Sequence, residues 1–142
     1  MKTRLLFLCT GNSCRSQMAE GWTRQLRADE VDVWSAGIEA HGLNTRAVAV
    51  MAEAGVDISA HRSQSLQQMG DQRFDVVVTV CANAAESCPV FPGLARIFHQ
   101  PFDDPPLLAA TAATEEQALA PYRRVRDEIR AFVETLPESV AL

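Results

Sequence analysis

The stretch Arg4-Leu5-Leu6-Phe7-Leu8-Cys9-Thr10-Gly11-Asn12-Ser13-Cys14-Arg15-Ser16 joins an apolar run to a loop of small polar residues. Arg4 to Leu8 has the continuous hydrophobicity of a strand covered on both faces. From Ser16 to about Arg27, Met18, Trp22 and Leu26 recur every four residues, the spacing of an amphipathic helix. Between them, five residues separate the Cys9 thiol from the Arg15 guanidinium. A loop that leaves a buried strand and enters a helix can turn its backbone N–H groups inward, so that nest, helix N-terminus and forked Arg converge on one tetrahedral anion. Thr10, Gly11, Asn12, Ser13, Cys14, Arg15 and Ser16 are the expected oxyanion cradle, with Cys9 facing the anion as nucleophile. Gly11 and Asn12 are the residue types that best tolerate left-handed backbone, and Ser16 can cap the helix. The competing reading is a chance Cys and Arg spacing around a thiol that is simply a small buried hydrophobe. The strand before the loop and the helix after it favour the cradle.

Outward from this loop, strand and helix patterns alternate. Strands fit Val31 to Ser35, Asp75 to Val80 and Ala95 to His99, and the run Val76-Val77-Val78-Thr79-Val80 marks a central parallel strand. A second helix is expected from a cap near Asn44 to Gly55, with Ala47, Val48 and Met51 facing inward, and a short one over Ser63 to Met69. A last helix carries Tyr122, Val125, Ile129, Phe132, Val133 and Leu136 at helical spacing. Thr114 and Gln117 fit a capping box, Pro121 should interrupt or restart that helix, and Gln100 to Ala113 reads as a long loop. The order predicts one α/β domain over residues 1–142, a three-layer α/β/α arrangement around an open four-stranded parallel sheet. Such sheets bind ligands beyond the carboxyl ends of their strands, where both Cys9 and Cys81 fall.

With 47% apolar residues in 142, the chain can bury a core without staples. A net charge of −5 and the lack of a basic cluster interleaved with aromatics argue against nucleic acid as a partner. No apolar run reaches the roughly 18 residues of a membrane span, and the one after Met1-Lys2-Thr3-Arg4 is too short for a signal peptide. A cytoplasmic location, with no membrane association, is expected. Four cysteines in a reducing compartment point to catalytic, redox or metal-binding thiols rather than structural disulfides.

A thiol attacks as thiolate, and a helix N-terminus with a nearby Arg can lower its pKa from about 8.5 to about 3.5–7.5. Ser16 could donate a hydrogen bond to that thiolate or merely cap the helix. Arg15 offers two parallel donors to an oxyanion, though it could instead pair with a surface acid. Phe102-Asp103-Asp104-Pro105 holds Asp104 in extended geometry before a proline, where it could act as a general acid. Ordinary turn chemistry explains the same residues, and sequence physics alone favours it. Cys81 and Cys88 bracket six residues; as a helix these would hold the two Cα atoms near 10 Å apart, whereas a disulfide needs about 4.4–6.8 Å. That segment is a redox switch if it rearranges, and otherwise carries two inert thiols; thiolate ligation of zinc is the weaker choice because no CxxC spacing is present. His41, His61 and His99 fit no metal signature.

Beyond these residues, the chain resembles the thioredoxin-coupled arsenate reductases built on the low-molecular-weight protein tyrosine phosphatase fold. The segments that carry the resemblance are Cys9 to Trp22, Ser35-Ala36-Gly37-Ile38-Glu39, Val78-Thr79-Val80-Cys81 with Cys88-Pro89, Phe102 to Pro105, and Arg124 to Ile129. The resemblance implies that Cys9 attacks arsenate held by the loop and Arg15 while Asp104 protonates the departing hydroxyl. It further implies that Cys81 attacks Cys9 to release arsenite, that Cys88 attacks the Cys9 to Cys81 disulfide, and that thioredoxin reduces the resulting Cys81 to Cys88 disulfide. Cys14 has no redox role in this scheme, and its N–H is read as an anion donor. In some relatives a potassium ion near the loop is held by groups matching Asn12, Glu20 and Ser35 together with an Asp. Gln64 stands at that last position, which weakens the case for potassium, and no other cofactor is expected. A monomer is the expected state. The alternative on the same fold is phosphomonoester or phosphotyrosine hydrolysis by Cys9, Arg15 and Asp104. It usually goes with aromatic residues after the Asp-Pro pair, whereas Pro106-Leu107-Leu108 follow here and Tyr122 is the chain's one tyrosine. A third, non-enzymatic reading is an oxyanion or metal sensor using the same thiols.

Overall fold

Four parallel strands lie side by side in a computed structural model that describes residues 2–81 and 95–141. They are β1 (Thr3–Cys9), β2 (Val31–Gly37), β3 (Val76–Thr79) and β4 (Arg96–His99), in the spatial order β2-β1-β3-β4. Leu5, Leu6, Phe7 and Leu8 of β1 are completely buried, as are Val77 and Val78 of β3, so both faces of the central strands are covered by helices. That makes the protein a three-layer α/β/α fold. Strand β4 alternates half-buried and exposed residues, as expected of an edge.

The helices are α1 (Arg15–Leu26), α2 (Thr45–Glu53), α3 (Leu66–Met69), α4 (Pro105–Ala109) and α5 (Glu115–Val133), followed by a 3-10 turn at Glu138–Val140. Helix α1 packs on β1 and β2 and against α2 and α5, and α5 also meets α2 and α4. No described helix is long and apolar enough to cross a membrane.

Asn44 caps α2 as expected, its side chain accepting from the N–H groups of Arg46 and Ala47. Four expectations change. The stretch taken for a long loop contains α4, with Asp104 at the N-cap and Pro105 and Pro106 opening the first turn, where a missing N–H costs nothing. Pro121 does not interrupt α5; one lost backbone bond is outweighed by the buried stripe of Ala118, Tyr122, Val125, Ile129 and Val133 that runs through it. Thr114 caps α5 by accepting from the Gln117 N–H, but the Gln117 side chain accepts from Ala113, one residue before the box position. The complete capping box is at Ser65 and Gln68, opening α3. Ser16 is not a cap either, because Cys14 occupies the N-cap of α1 without a side-chain bond.

Ile129 is fully buried on α5. Ile129→Ala should cost about 2–5 kcal/mol through lost burial and the cavity left behind. A urea titration should show this as a lower midpoint at unchanged slope, and an unmoved midpoint would contradict the packing described.

Candidate active site

The loop from Cys9 to Arg15 is shaped by what its carbonyls do. Ile38, Glu39, His41 and Asn44 donate backbone N–H groups to the carbonyls of Cys9, Thr10, Gly11 and Ser13 at 3.1, 2.9, 2.9 and 3.0 Å. The Asn12 carbonyl accepts from Gln17 Nε2 at 3.2 Å, and the Cys14 carbonyl from the Met18 N–H at 3.0 Å. With the oxygens tied away from the cleft, the N–H edges of the same peptide groups turn toward it, and the Gly11 N–H reaches the Cys9 sulfur. Asn12 makes the turn with φ of 48°. Gly11 does not use left-handed backbone; it is Gly because a Cβ there would lie 2.3 Å from His41 Nδ1. Gly37 is required for a similar reason, since its Cβ would meet the Asn12 nitrogen at 2.7 Å.

The cleft beside this loop has a volume of about 610 Å³ and is lined by Cys9, Thr10, Gly11, Ser13, Cys14, Arg15, His41, Asn44, Cys81, Asp104 and Pro106. Asn12 and Ser16, expected among the anion's contacts, are fully buried and absent from this lining. The Asn12 amide donates to Ser16 Oγ and Ser35 Oγ, both at 2.9 Å, so these side chains brace the loop from beneath. Ser16 therefore acts on the loop's shape through Asn12, rather than as a helix cap.

Strand β3 delivers the remaining groups. The Val80 N–H donates to the Leu8 carbonyl at 3.0 Å, which places Cys81 beside Cys9 at the carboxyl ends of adjacent strands. Gln100 and Phe102 donate to the carbonyls of Thr79 and Val80 at 2.8 and 3.0 Å, carrying the chain past the strand end toward Arg15. Arg15 Nη1 donates to the Phe102 carbonyl at 3.0 Å, and its Nη2 lies 3.6 Å from Asp104 Oδ1. Arg15 Nε is buried with no hydrogen-bond partner among the described residues. A buried guanidinium N–H left unpaired is costly, and an anion in the cleft is one acceptor that could complete it.

Cys9, Cys14 and Cys81 are buried. Cys81 is hydrogen-bonded to Cys9, and its Sγ also lies 3.3 Å from Thr10 Oγ1. That bond to Cys81, followed by burial, holds the Cys9 thiol well above the usual range, opposed by the Arg15 charge and the Gly11 N–H. The Cys14 thiol is pushed up to about 12, chiefly by burial, with the Arg15 charge opposing. Cys88, expected as the third redox thiol, lies outside the described residues.

Besides Pro106, which lies in the first turn of α4, two cleft residues are not singled out for the site by the sequence. His41 sits at the rim with Nε2 2.7 Å from Glu39 Oε2. Asn44, read only as a helix cap, also lines the cleft and donates to the Tyr122 hydroxyl at 3.1 Å. No local pattern marks either one, because both reach the cleft through the backbone pairing of residues 38–44 with the loop. His61 and His99 are engaged elsewhere, with Gln17 and Thr79. No group of three or more His, Cys, Asp or Glu side chains among the described residues could hold a metal ion.

A parallel sheet that brings a thiol, a nest of N–H groups, an incompletely paired Arg and a carboxylate to one point defines a thiol-based oxyanion enzyme. Residues 4–141 match the model of the low molecular weight phosphotyrosine protein phosphatase family, and the chain belongs to that family. It is 50% identical over 138 residues to an arsenate reductase of Halalkalibacterium halodurans, covering 97% of each chain. It is also 50% identical over 135 residues to an arsenate reductase of Bacillus subtilis, covering 92% of this chain and 95% of that one. Among solved structures, an arsenate reductase in the phosphate binding state superposes with a TM-score of 0.72 at 31% identity, covering 99% of this chain and 100% of the other.

Cys81→Ala removes the largest influence raising the Cys9 pKa and leaves Arg15 and the Gly11 N–H in place. The midpoint of the pH profile for Cys9 alkylation by iodoacetamide, followed on the Cys9 peptide by mass spectrometry, should therefore move to lower pH. A midpoint that stays or rises would show that the two sulfurs do not share a proton.

Proposed function

We infer that the protein is an arsenate reductase, with Cys9, Cys81 and Cys88 carrying two electrons in sequence from a thioredoxin-type dithiol to arsenate. The observation that carries this reading is a second buried thiol, Cys81, lining the same cleft as Cys9 at the end of the adjacent strand. Hydrolysis needs one thiol and water, whereas reduction needs a second thiol within reach of the first.

The oxyanion enters the cradle, where the N–H groups and Arg15 Nε hold its oxygens. An oxygen of the incoming arsenate takes the Cys9 proton, the thiolate so formed attacks arsenic, and Asp104, beside Arg15, supplies the proton with which one hydroxyl departs as water. The product is a thiol-arsenic(V) adduct. The Cys81 thiolate then attacks Cys9 Sγ; the sulfur–arsenic bond breaks, its electron pair stays on arsenic, and arsenite leaves while a Cys9 to Cys81 disulfide forms. Cys88 attacks Cys81, freeing Cys9 as thiolate and forming the Cys81 to Cys88 disulfide, which the external dithiol reduces. A cytoplasmic location suits this cycle, because thiols must be returned to the reduced state at every turnover.

The test is arsenate-dependent oxidation of NADPH in the presence of thioredoxin and thioredoxin reductase, run beside hydrolysis of p-nitrophenyl phosphate. Sustained NADPH oxidation that needs arsenate is expected. Phosphatase turnover without arsenate-dependent oxidation would identify a phosphomonoesterase instead, with Cys9, Arg15 and Asp104 in the roles of nucleophile, clamp and acid.

A further inference from the structure

Beneath the oxyanion loop lies a closed polar cluster. Every hydrogen-bonding position of the Asn12 amide is filled: Oδ1 accepts from the Gln64 backbone N–H at 2.8 Å and from Gln17 Nε2 at 3.0 Å, while Nδ2 donates to Ser16 Oγ and Ser35 Oγ. Ser35 Oγ donates onward to Glu20 Oε1 at 2.6 Å, and the Ser35 carbonyl accepts from Gln64 Nε2 at 3.0 Å. The other Glu20 oxygen accepts from Arg24 Nε at 2.9 Å, with His61 Nδ1 3.8 Å away. Gln64 itself is fixed to the end of β2, because its carbonyl accepts from the Gly37 N–H at 2.8 Å.

A potassium ion bound by Asn12, Glu20, Ser35 and the residue at position 64 would need oxygen lone pairs converging on one point. The residues present do not fit that requirement. Both acceptor positions of Asn12 Oδ1 are occupied, the Ser35 carbonyl faces an N–H, the Glu20 charge is balanced by Arg24, and Gln64 offers a donor where a carboxylate would offer an acceptor.

We propose that Gln64 is a positioning residue that does by hydrogen bonding what a bound cation would do by charge, so that oxyanion capture in this protein is independent of monovalent cations. Its side-chain amide bridges to the Ser35 carbonyl while its backbone holds Asn12 in the left-handed turn on which the inward N–H groups depend. Gln64 does not line the cleft, so its influence on the anion passes through Asn12. The proposal rests on the cleft being an oxyanion site and not on which oxyanion is turned over.

Two readouts test it, thermal melting and calorimetric binding of inorganic phosphate, each in potassium chloride and in choline chloride at equal ionic strength. The unmodified protein should melt at the same temperature and bind phosphate equally well in both salts. Gln64→Asp keeps the backbone contact but sets a carboxylate against the Ser35 carbonyl. In choline it should melt lower and bind phosphate at least about fivefold more weakly, the lower end of typical coupling between sites, with potassium restoring both. Gln64→Leu should be impaired alike in both salts, because it provides neither donor nor carboxylate. Potassium-dependent melting or phosphate affinity in the unmodified protein would overturn the proposal, as would a Gln64→Asp protein indifferent to the salt. If Gln64→Asp does not fold, the salt comparison on the unmodified protein and Gln64→Leu still decides. Salt-independent melting with no phosphate binding in either salt would refute the oxyanion site, and with it the proposed role of Gln64.

Discussion

The hydrogen bonds from Ile38, Glu39, His41 and Asn44 to the carbonyls of the Cys9 to Ser13 segment are what the site depends on. A peptide group has two polar edges. Once the oxygen edge is committed to a neighbouring segment, the N–H edge is free to serve an anion. The parallel pairing of β1 with β2 brings this about, because the register that aligns Cys9 with Gly37 sends both chains past the sheet end together. The absence of a Cβ at Gly11 and Gly37 lets the segments approach closely enough to bond. Asn12 completes the turn from below, held on all four sides by neutral partners.

The electrostatics follow from this frame. The nest of N–H groups and the Arg15 guanidinium, whose Nε has no described partner, bring partial and full positive charge to one cleft. Beside it, contact with Cys81 and burial push the Cys9 thiol up, with the Arg15 charge and the Gly11 N–H opposing.

Much of this was legible in the chain. The strand, loop and helix from Arg4 to Arg27 and the Val76 to Val80 run were readable because hydrophobic periodicity reports burial directly. The placing of Cys9 and Cys81 at strand ends followed from topology. What escaped was set by approach between distant segments. The need for Gly at position 11 comes from the His41 ring 30 positions later in the chain, and Ser16 is withdrawn from capping by an Asn12 amide whose rotamer answers to Ser35 and Gln64. Helix α4 was hidden because two prolines at its start look like loop chemistry unless they are placed at its first turn. Pro121 misled in the opposite direction, since tertiary burial of the stripe around it outweighs the lost backbone bond. Sequence leaves Asp104 open between turn and acid, and the structure adds that its carboxylate lies beside Arg15 and lines the cleft.

The central claim is that Cys9 and Cys81 are adjacent partners in one electron transfer, with Cys88 acting only afterwards. Reaction of fully reduced Cys88→Ser protein with arsenate in the absence of any external dithiol, followed by acid quenching and mass-spectrometric mapping of disulfides, tests it directly. The account predicts one equivalent of arsenite per protein and a disulfide between Cys9 and Cys81. Release of no arsenite, or a first disulfide that leaves out Cys9 or Cys81, would contradict it.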